Sequence, residues 1–468
     1  MEALGEPCRS ETPNLSSTLA GFIAGTDSLP AAVLSRTKDL VLDTLGVAYA
    51  ALPNAFARTV LTAGRELSSG GGDCSVVGNS ERLQPRDAAM VNAVLMHGLD
   101  FDDTHIKAMM HSSVVSLPTA LAIAEHRDLF GRDMLEAFVV ASEGAIRLGL
   151  ATVGLFPTFG FHATGVIGHF ASAFAAGRLM RLSEHQLVAA QGIVGSTAAG
   201  ILAYLEDGAW TKRFHPGWAA VGGITAAELA KAGFLGPSRV YEGRFGLFDT
   251  HLGASSVRVE SAVVAEELGK RWHVLDVSPK PYPNCHLNHG CVEAAIDLAR
   301  QTGVRPSDVT EMTALLPAQA LSLVAEPLEQ KRRPRSEYEA MFSAPYGVAV
   351  GLARGRFGML DLTSQAITDP EVLALCAKVR CEPDPQSGFP EFCSGGVRVK
   401  THDGRELEAH VRVNAGAGDR AFTAAEIKEK FKNSTALVLS DAHTQLIYDA
   451  VMSLETIKAR ELGAALRL

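Results

Sequence analysis

The chain has 468 residues, 47% of them apolar and 20% charged, with a formal charge of −9 and a pI near 5.9. That length exceeds what one core comfortably fills, so two domains are expected. The acidic balance excludes the broad basic footprint that a nucleic-acid partner needs, so an anionic small molecule would require a local concentration of lysine, arginine and histidine.

The seven cysteines, Cys8, Cys74, Cys285, Cys291, Cys376, Cys381 and Cys393, are odd in number and form no C-x-x-C pair. They argue against a disulfide framework and structural zinc, and they fit a reducing compartment. The opening residues carry Glu2, Glu6, Arg9 and Glu11 with no apolar leader. A cytoplasmic location is expected.

Along the chain, apolar spacing predicts helices over 34–45, 88–96, 116–125, 133–150, 165–182, 184–205 and 218–232. Start signals stand at Pro85-Arg86-Asp87, at Pro118 in a first turn, and at Ser183 before Glu184. Segment 187–205 is uncharged and nominally long enough to span a bilayer. Its Gln191, Ser196, Thr197 and glycines, with no basic flank, make it instead a buried helix of a large core, and no membrane partner is expected. Beyond Trp272 the texture changes. Strands are predicted at 273–277 and 309–316, a hairpin over 397–413 about Asp403-Gly404, and helices at 292–300, 341–353 and 371–379. After residue 417 helix returns, with Thr423 capping 424–432 and a last helix running through Glu461. The expected fold class is mostly α. A discontinuous all-helical domain, 1–272 with 418–468, carries an inserted smaller α+β lid domain, 273–417. A cleft between such domains is a usual place for a ligand.

Four clusters could carry chemistry. The first is Asp100, Asp102, Asp103, Thr104, His105, Lys107 and His111, directly after an apolar helix. Charge there is costly unless paired or used, and crowded carboxylates beside imidazoles suit proton transfer. The bland alternative is a helix end running into a polar loop. The second is His162, opening a small-residue helix at whose start amides can hold an anion and the dipole keeps an imidazole neutral; taken alone it reads as a buried histidine bonded to a carbonyl. The third is Trp210-Thr211-Lys212-Arg213-Phe214-His215-Pro216-Gly217-Trp218, cations suited to carboxylates. The fourth is Lys280-Pro281-Tyr282-Pro283-Asn284-Cys285-His286, in which the prolines stiffen the backbone under Lys280. A thiolate nucleophile at Cys285 lacks any accompanying oxyanion-hole signature.

Other readings are weaker. Asp100-x-Asp102-Asp103 matches the DxDD string of terpene cyclases, but aromatics make up only 6% of the chain and the remaining clusters are cationic, which repels a carbocation. No Walker loop or G-x-G-x-x-G is present. A metal site from Asp102, Asp103, His105 and His111 is disfavoured by Lys107 among them and by the absence of an H-x-x-x-H helix motif.

With these clusters in hand, the chain resembles the MmgE/PrpD family, which includes 2-methylcitrate dehydratase, cis-aconitate decarboxylase and iminodisuccinate epimerase. The resemblance runs from Asp43-Thr44-Leu45-Gly46 to Lys428-Glu429-Lys430-Phe431. It is carried by Leu99-Asp100-Phe101-Asp102-Asp103-Thr104, Thr211-Lys212 with His215, Lys280-Pro281-Tyr282-Pro283 with Cys285, and Phe342-Ser343 with Tyr346. It implies an all-helical domain closed by an α+β lid, a homodimer, catalysis without metal or cofactor, and an active site between the domains. By the family's pattern Asp100 and Thr104 match the acid and hydroxyl of the first motif, and His111 its downstream histidine. His162, Lys212, Lys280 and Tyr346 match the remaining site positions. Ser112 follows His111 where many members have proline, and Cys285, with His286 one position on, falls where the decarboxylase has histidine.

The expectation is a lyase on a small di- or tricarboxylate, with dehydration of a β-hydroxy acid first and decarboxylation or epimerisation as alternatives. Asp100, His111, His162, Lys212 and Tyr346 are its candidate catalytic residues. Thr104, His215, Lys280, Cys285 and His286 are its candidate substrate contacts. Outside enzymes, a dimeric carboxylate-binding scaffold fits the same features.

Overall fold

The computed structural model describes residues 14–468, so Glu2, Glu6, Cys8, Arg9 and Glu11 lie outside it. At the centre of the helical body is Ala163–Leu179, every residue of which except Arg178 is buried. Helices Ser113–His126, Gly131–Ala151, Glu184–Gly195 and Thr211–Lys231 pack around it. Small residues make these approaches possible. A Cβ on Gly223 would stand 2.4 Å from Ser172 Cβ, and one on Gly168 would stand 2.6 Å from a Val115 methyl. With axes this close, the apolar surfaces interlock and the burial of Phe170, Phe174 and Val166 follows.

The predicted helices are present with shifted ends. Ser183 caps Glu184–Gly195 reciprocally with Gln186, and Thr423 caps Ala424–Thr435 with Glu426. Pro118 is not in a first turn; it lies inside Ser113–His126. The helix expected over 184–205 stops at Gly195. The following chain folds back so that His162 N–H bonds Gly200 O at 2.8 Å and Leu202 N–H bonds Gly160 O at 2.8 Å; Gly200 has a φ of 138° that a side chain would resist. Among the described residues, no single helix is long and apolar enough to cross a membrane. The helix expected from 218 begins at Thr211, so the third cluster lies on its first turns.

A four-stranded sheet occupies the C-terminal part, in the order Val379–Pro383, Val309–Leu316, Gly395–Thr401, Glu406–Val411. The first pair is parallel and the others antiparallel, with Ala314 opposite both Cys381 and Val397. Strand 309–316 and the hairpin about Gly404, which has φ 83°, match the sequence reading. The strand expected at 273–277 is instead a 3-10 turn, His273–Asp276. Its Val274 N–H is taken by the buried Glu143 carboxylate at 3.0 Å, which leaves no ladder to join. Helix 371–379 ends at Cys376, and Val379 begins an unforeseen edge strand.

Buried polar contacts tie together the segments around the junction. Arg147 and Glu143, both fully buried, pair at 2.8 Å, and the guanidinium also donates to Glu266 O and Arg271 O at 2.6 and 2.9 Å. Thr104 and Ser278 exchange backbone hydrogen bonds, each of 2.9 Å. Helix Ala424–Thr435 lies on Ala31–Ala51, where Lys430 pairs with the buried Asp43 at 2.6 Å and donates to Phe101 O at 2.9 Å.

The helix crossing at Gly223 yields a stability prediction. Gly223→Ala forces a Cβ into the Ser172 backbone, and overpacking of this kind costs about 1–3 kcal/mol. A lowered midpoint of thermal unfolding is expected; an unchanged midpoint contradicts the close packing.

Candidate active site

Helix Pro85–His97 ends at Gly98, and the chain then turns through Asp100 with a left-handed φ of 48°. A non-glycine residue held there costs on the order of 1–3 kcal/mol, a strain that clusters at functional sites. The turn aims the Asp100 carboxylate inward. Its Oδ1 accepts Lys212 Nζ at 2.8 Å and Lys280 Nζ at 2.7 Å. Lys280 Nζ also donates to Asp100 O at 2.8 Å and Asn284 O at 3.2 Å. Lys212 comes from the first turn of Thr211–Lys231, and Lys280 from the proline-stiffened segment before Tyr282. Burial alone would raise the proton affinity of Asp100. The ammonium groups of Lys212 and Lys280 overcome it and hold the carboxyl well below its usual value. Burial would likewise discharge Lys280, but Asp100 and then Asp102 keep its proton on.

Beside this triad stands a group of imidazoles. Asp102 Oδ2 lies 2.9 Å from His97 Nδ1 and 2.8 Å from His111 Nδ1. His111 Nε2 is 3.8 Å from Asp100 Oδ1. His162, at the N-cap of Ala163–Leu179, places its Nδ1 3.0 Å from Nδ1 of His215, which is on the same helix as Lys212. Burial pushes His111 down to about 4, against the pull of Asp102. Burial takes His215 to about 3 and His162 well below the usual histidine range. Neutral imidazoles therefore face two ammonium groups.

Asp100, Thr104, His111, His162, Lys212, Lys280, Cys285 and His286 line one cavity of about 650 Å³, part of it open to solvent. His215 stands behind His162. Thr104 Oγ1 is buried with no protein partner. Burial, then Asp100, raise the Cys285 thiol, which favours its neutral form. His286 Nε2 accepts Asn414 Nδ2 at 3.0 Å. The structure does not bring Tyr346 to this cavity: its buried hydroxyl donates to Asp361 O at 2.5 Å. The aromatic rings that do line it are Phe161, Tyr204 and Phe342, of which the sequence reading assigned none to the site; Lys212 Nζ sits 4.9 Å from the Phe342 ring centroid.

The first sequence cluster is divided by the fold. Asp103 turns beneath the site to the Ser113 hydroxyl. His105 accepts Ala108 N–H at 3.2 Å and lines a separate groove, and Lys107 pairs with Glu391 on the surface. The metal set considered from sequence is thereby dispersed. Ligand-type atoms of His97, His111 and His162 do lie within 4.8 Å of one another, as do those of Asp100, Asp102 and His111. The oxygens Oδ1 of Asp100 and Oδ2 of Asp102 are, however, already engaged by ammonium and imidazole groups. His97 escaped notice in the sequence. Its signal is a titratable residue at the last position of a helix buried all the way from Asp87.

The MmgE/PrpD N-terminal domain matches residues 17–260 and the MmgE/PrpD C-terminal domain residues 282–454. The chain belongs to the MmgE/PrpD family. Three curated relatives illustrate its similarities. It is 28% identical over 445 residues to the cis-aconitate decarboxylase-like protein oryM of Aspergillus oryzae, covering 92% of this chain and 91% of the relative. It is 28% identical over 453 residues to the cis-aconitate decarboxylase of Aspergillus terreus, covering 92% and 91%. It is 28% identical over 467 residues to that of Homo sapiens, covering 96% and 93%.

Asp103 allows a pH test. Burial raises its carboxyl from 3.8 to about 7. Between those values the folded chain holds a proton that the unfolded chain lacks. The stability this group contributes is therefore complete below 3.8 and lost as pH rises through about 7. Asp103→Asn, neutral at every pH and able to donate to Ser113, should gain thermal stability over wild type more at about pH 8 than at about pH 5. A pH-independent difference in midpoint contradicts the raised carboxyl.

Proposed function

We propose that this chain is a lyase acting on a small di- or tricarboxylate, with this cavity as its active site and its own side chains as proton carriers. The observation that carries the reading is the Asp100 carboxylate held by two ammonium groups beside neutral imidazoles. Lys212 offers its remaining N–H donors to a substrate carboxylate, while Lys280, whose three N–H groups are taken by Asp100 and Asn284, contributes its positive charge to stabilising what develops nearby. The free Thr104 hydroxyl adds a hydrogen bond, and His111 and His162 exchange protons with the substrate. The division into 1–272 with 418–468 and 273–417 is part of the proposal, one lysine coming from each unit. So is the homodimer, which mass in solution would check.

Loss of carbon dioxide is the first reading. The names of the relatives favour it, and so does the wall of Ile106, Met109, Leu202 and Leu287, which keeps water from a departing carboxylate. In a cis-aconitate-like substrate, the bonding pair released as carbon dioxide leaves shifts the double bond by one position. The far carbon then takes a proton from an imidazole that the anionic substrate has helped to charge. Loss of water from a citrate-like β-hydroxy acid is the second reading, favoured by the Cys285 thiol where the family resemblance puts histidine in the decarboxylase. It needs a base for the carbon-bound proton and an acid for the hydroxide.

Incubation with cis-aconitate, citrate and 2-methylcitrate, followed by NMR, tests both. Turnover of one of these acids is expected, the product stating whether carbon dioxide or water is lost. Lys212→Ala should lower kcat/KM by about 10²–10³-fold, the usual effect of removing one charge-stabilising donor. No turnover of any acid removes the lyase reading, with thermal stabilisation by one of them then favouring the carboxylate-binding scaffold and its absence removing that as well; undiminished turnover in Lys212→Ala would remove the lysine's role.

A further inference from the structure

Asp102 and His97 do not line the cavity, yet they stand directly behind His111, which does. Both side chains are 0% exposed. Asp102 Oδ2 is hydrogen-bonded to His97 Nδ1 and lies 2.8 Å from His111 Nδ1 outside hydrogen-bond alignment, and its other oxygen, Oδ1, has no partner. We infer that Asp102, wedged between His97 and His111, is a positioning residue that fixes the proton of His111 on Nδ1 and leaves Nε2 as the base of the cavity. The inference rests on the proposed proton-transfer chemistry and deepens it.

The argument is electrostatic. A carboxylate oxygen 2.8 Å from Nδ1 repels a lone pair there and attracts a proton even off the N–H axis, so the proton of neutral His111 sits on Nδ1. The same holds for His97 at 2.9 Å. The second N–H, from His97, holds the carboxylate in place, and the burial of Asp102 denies it water as an alternative partner. Each Nε2 then carries a lone pair. That of His97 is buried and unpartnered, and only His111 lines the cavity.

His162 differs. Its Nδ1 faces His215, another imidazole, and no carboxylate stands behind it. The groups around His111 are the carboxylates Asp102 and Asp100, the ammonium groups Lys280 and Lys212, and the imidazoles His97, His162 and His286. Of the two rings, only His111 has a carboxylate in contact to stabilise the imidazolium formed when Nε2 takes a proton. His111 is therefore the first ring to take a proton, and His162, with no carboxylate in contact, is the weaker proton carrier of the two.

Histidine labelled with ¹⁵N decides the point, with signals assigned through His97→Gln and His111→Gln. The wild type is expected to show both rings as the Nδ1–H tautomer. Asp102→Asn removes the negative charge while its carbonyl oxygen can still take the place of Oδ2, so the tautomers should hold and the imidazolium of His111 should lose its stabilising partner. The substitution should also lower kcat by about 10²–10⁴-fold with KM changed by less than about threefold. A wild-type spectrum with His111 as Nε2–H overturns the inference, and so does an Asp102→Asn enzyme with normal kcat. Should Asp102→Asn fail to fold, the wild-type spectrum alone is decisive. Should no carboxylate be turned over by wild type, the proposed function falls while the tautomer measurement still stands.

Discussion

Two ammonium groups drawn to one carboxylate oxygen organise this molecule's site. Lys212 and Lys280 are separated by a long stretch of sequence and by the junction of two structural parts, and both reach Asp100 Oδ1 within hydrogen-bond distance. Like charges this close in a dry interior would drive the parts apart or shed a proton. Asp100 prevents both, at the cost of burying three charges whose pairing only partly restores the lost hydration. The triad by itself carries one positive charge in excess, and the ionised Asp102 behind it offsets that charge.

Much of the surrounding architecture makes this meeting possible. The strained turn at Asp100 follows a helix with no exposed residue after Arg86, and the Thr104–Ser278 bridge fixes the approach of the Lys280 segment. Arg147 gathers the backbone carbonyls between Val263 and Arg271, a short distance upstream of Lys280 in the chain. Lys430 closes the floor from the C-terminal helix by bonding Phe101 O. The two cationic devices, Arg147 and Lys430, turn a costly buried charge into a tether between segments, and breaking either leaves an uncompensated ion rather than a mere gap.

What the sequence disclosed follows from what is local. Helix caps at Ser183 and Thr423, the strand at 309–316 and the glycine turn at 404 depend on neighbours a few residues away, and they were legible. The lysines and histidines of the cavity could be singled out because such groups crowd beside apolar helices. The backward turn at 196–203, which presents Leu202 and Tyr204, could not, since its apolar run looks the same as a continued helix until Gly160 and His162 supply its partners. Strand 379–383 depends on pairing with 312–316, a contact no window of sequence contains. Tyr346 fits the family pattern yet its hydroxyl is spent on Asp361 O, a neighbour supplied by a turn beyond its own helix.

The same distinction explains why the carboxylates of the opening cluster, alike in sequence, differ so widely in chemistry. Asp100 faces ammonium groups and stays ionised. Asp102 faces imidazoles and is held well below the usual range by His111 and His97 against the penalty of burial. Asp103, three positions on from Asp100, is pushed up to about 7 by burial and the field of Asp43, against the bond from the Ser113 hydroxyl. One stretch of chain thus yields a charge anchor, a partner for two rings and a nearly neutral structural acid. The tight turns after Gly98 send successive side chains in different directions, and proton affinity follows what each direction meets. Composition fixed the presence of three acids; only the path of the backbone separated their roles.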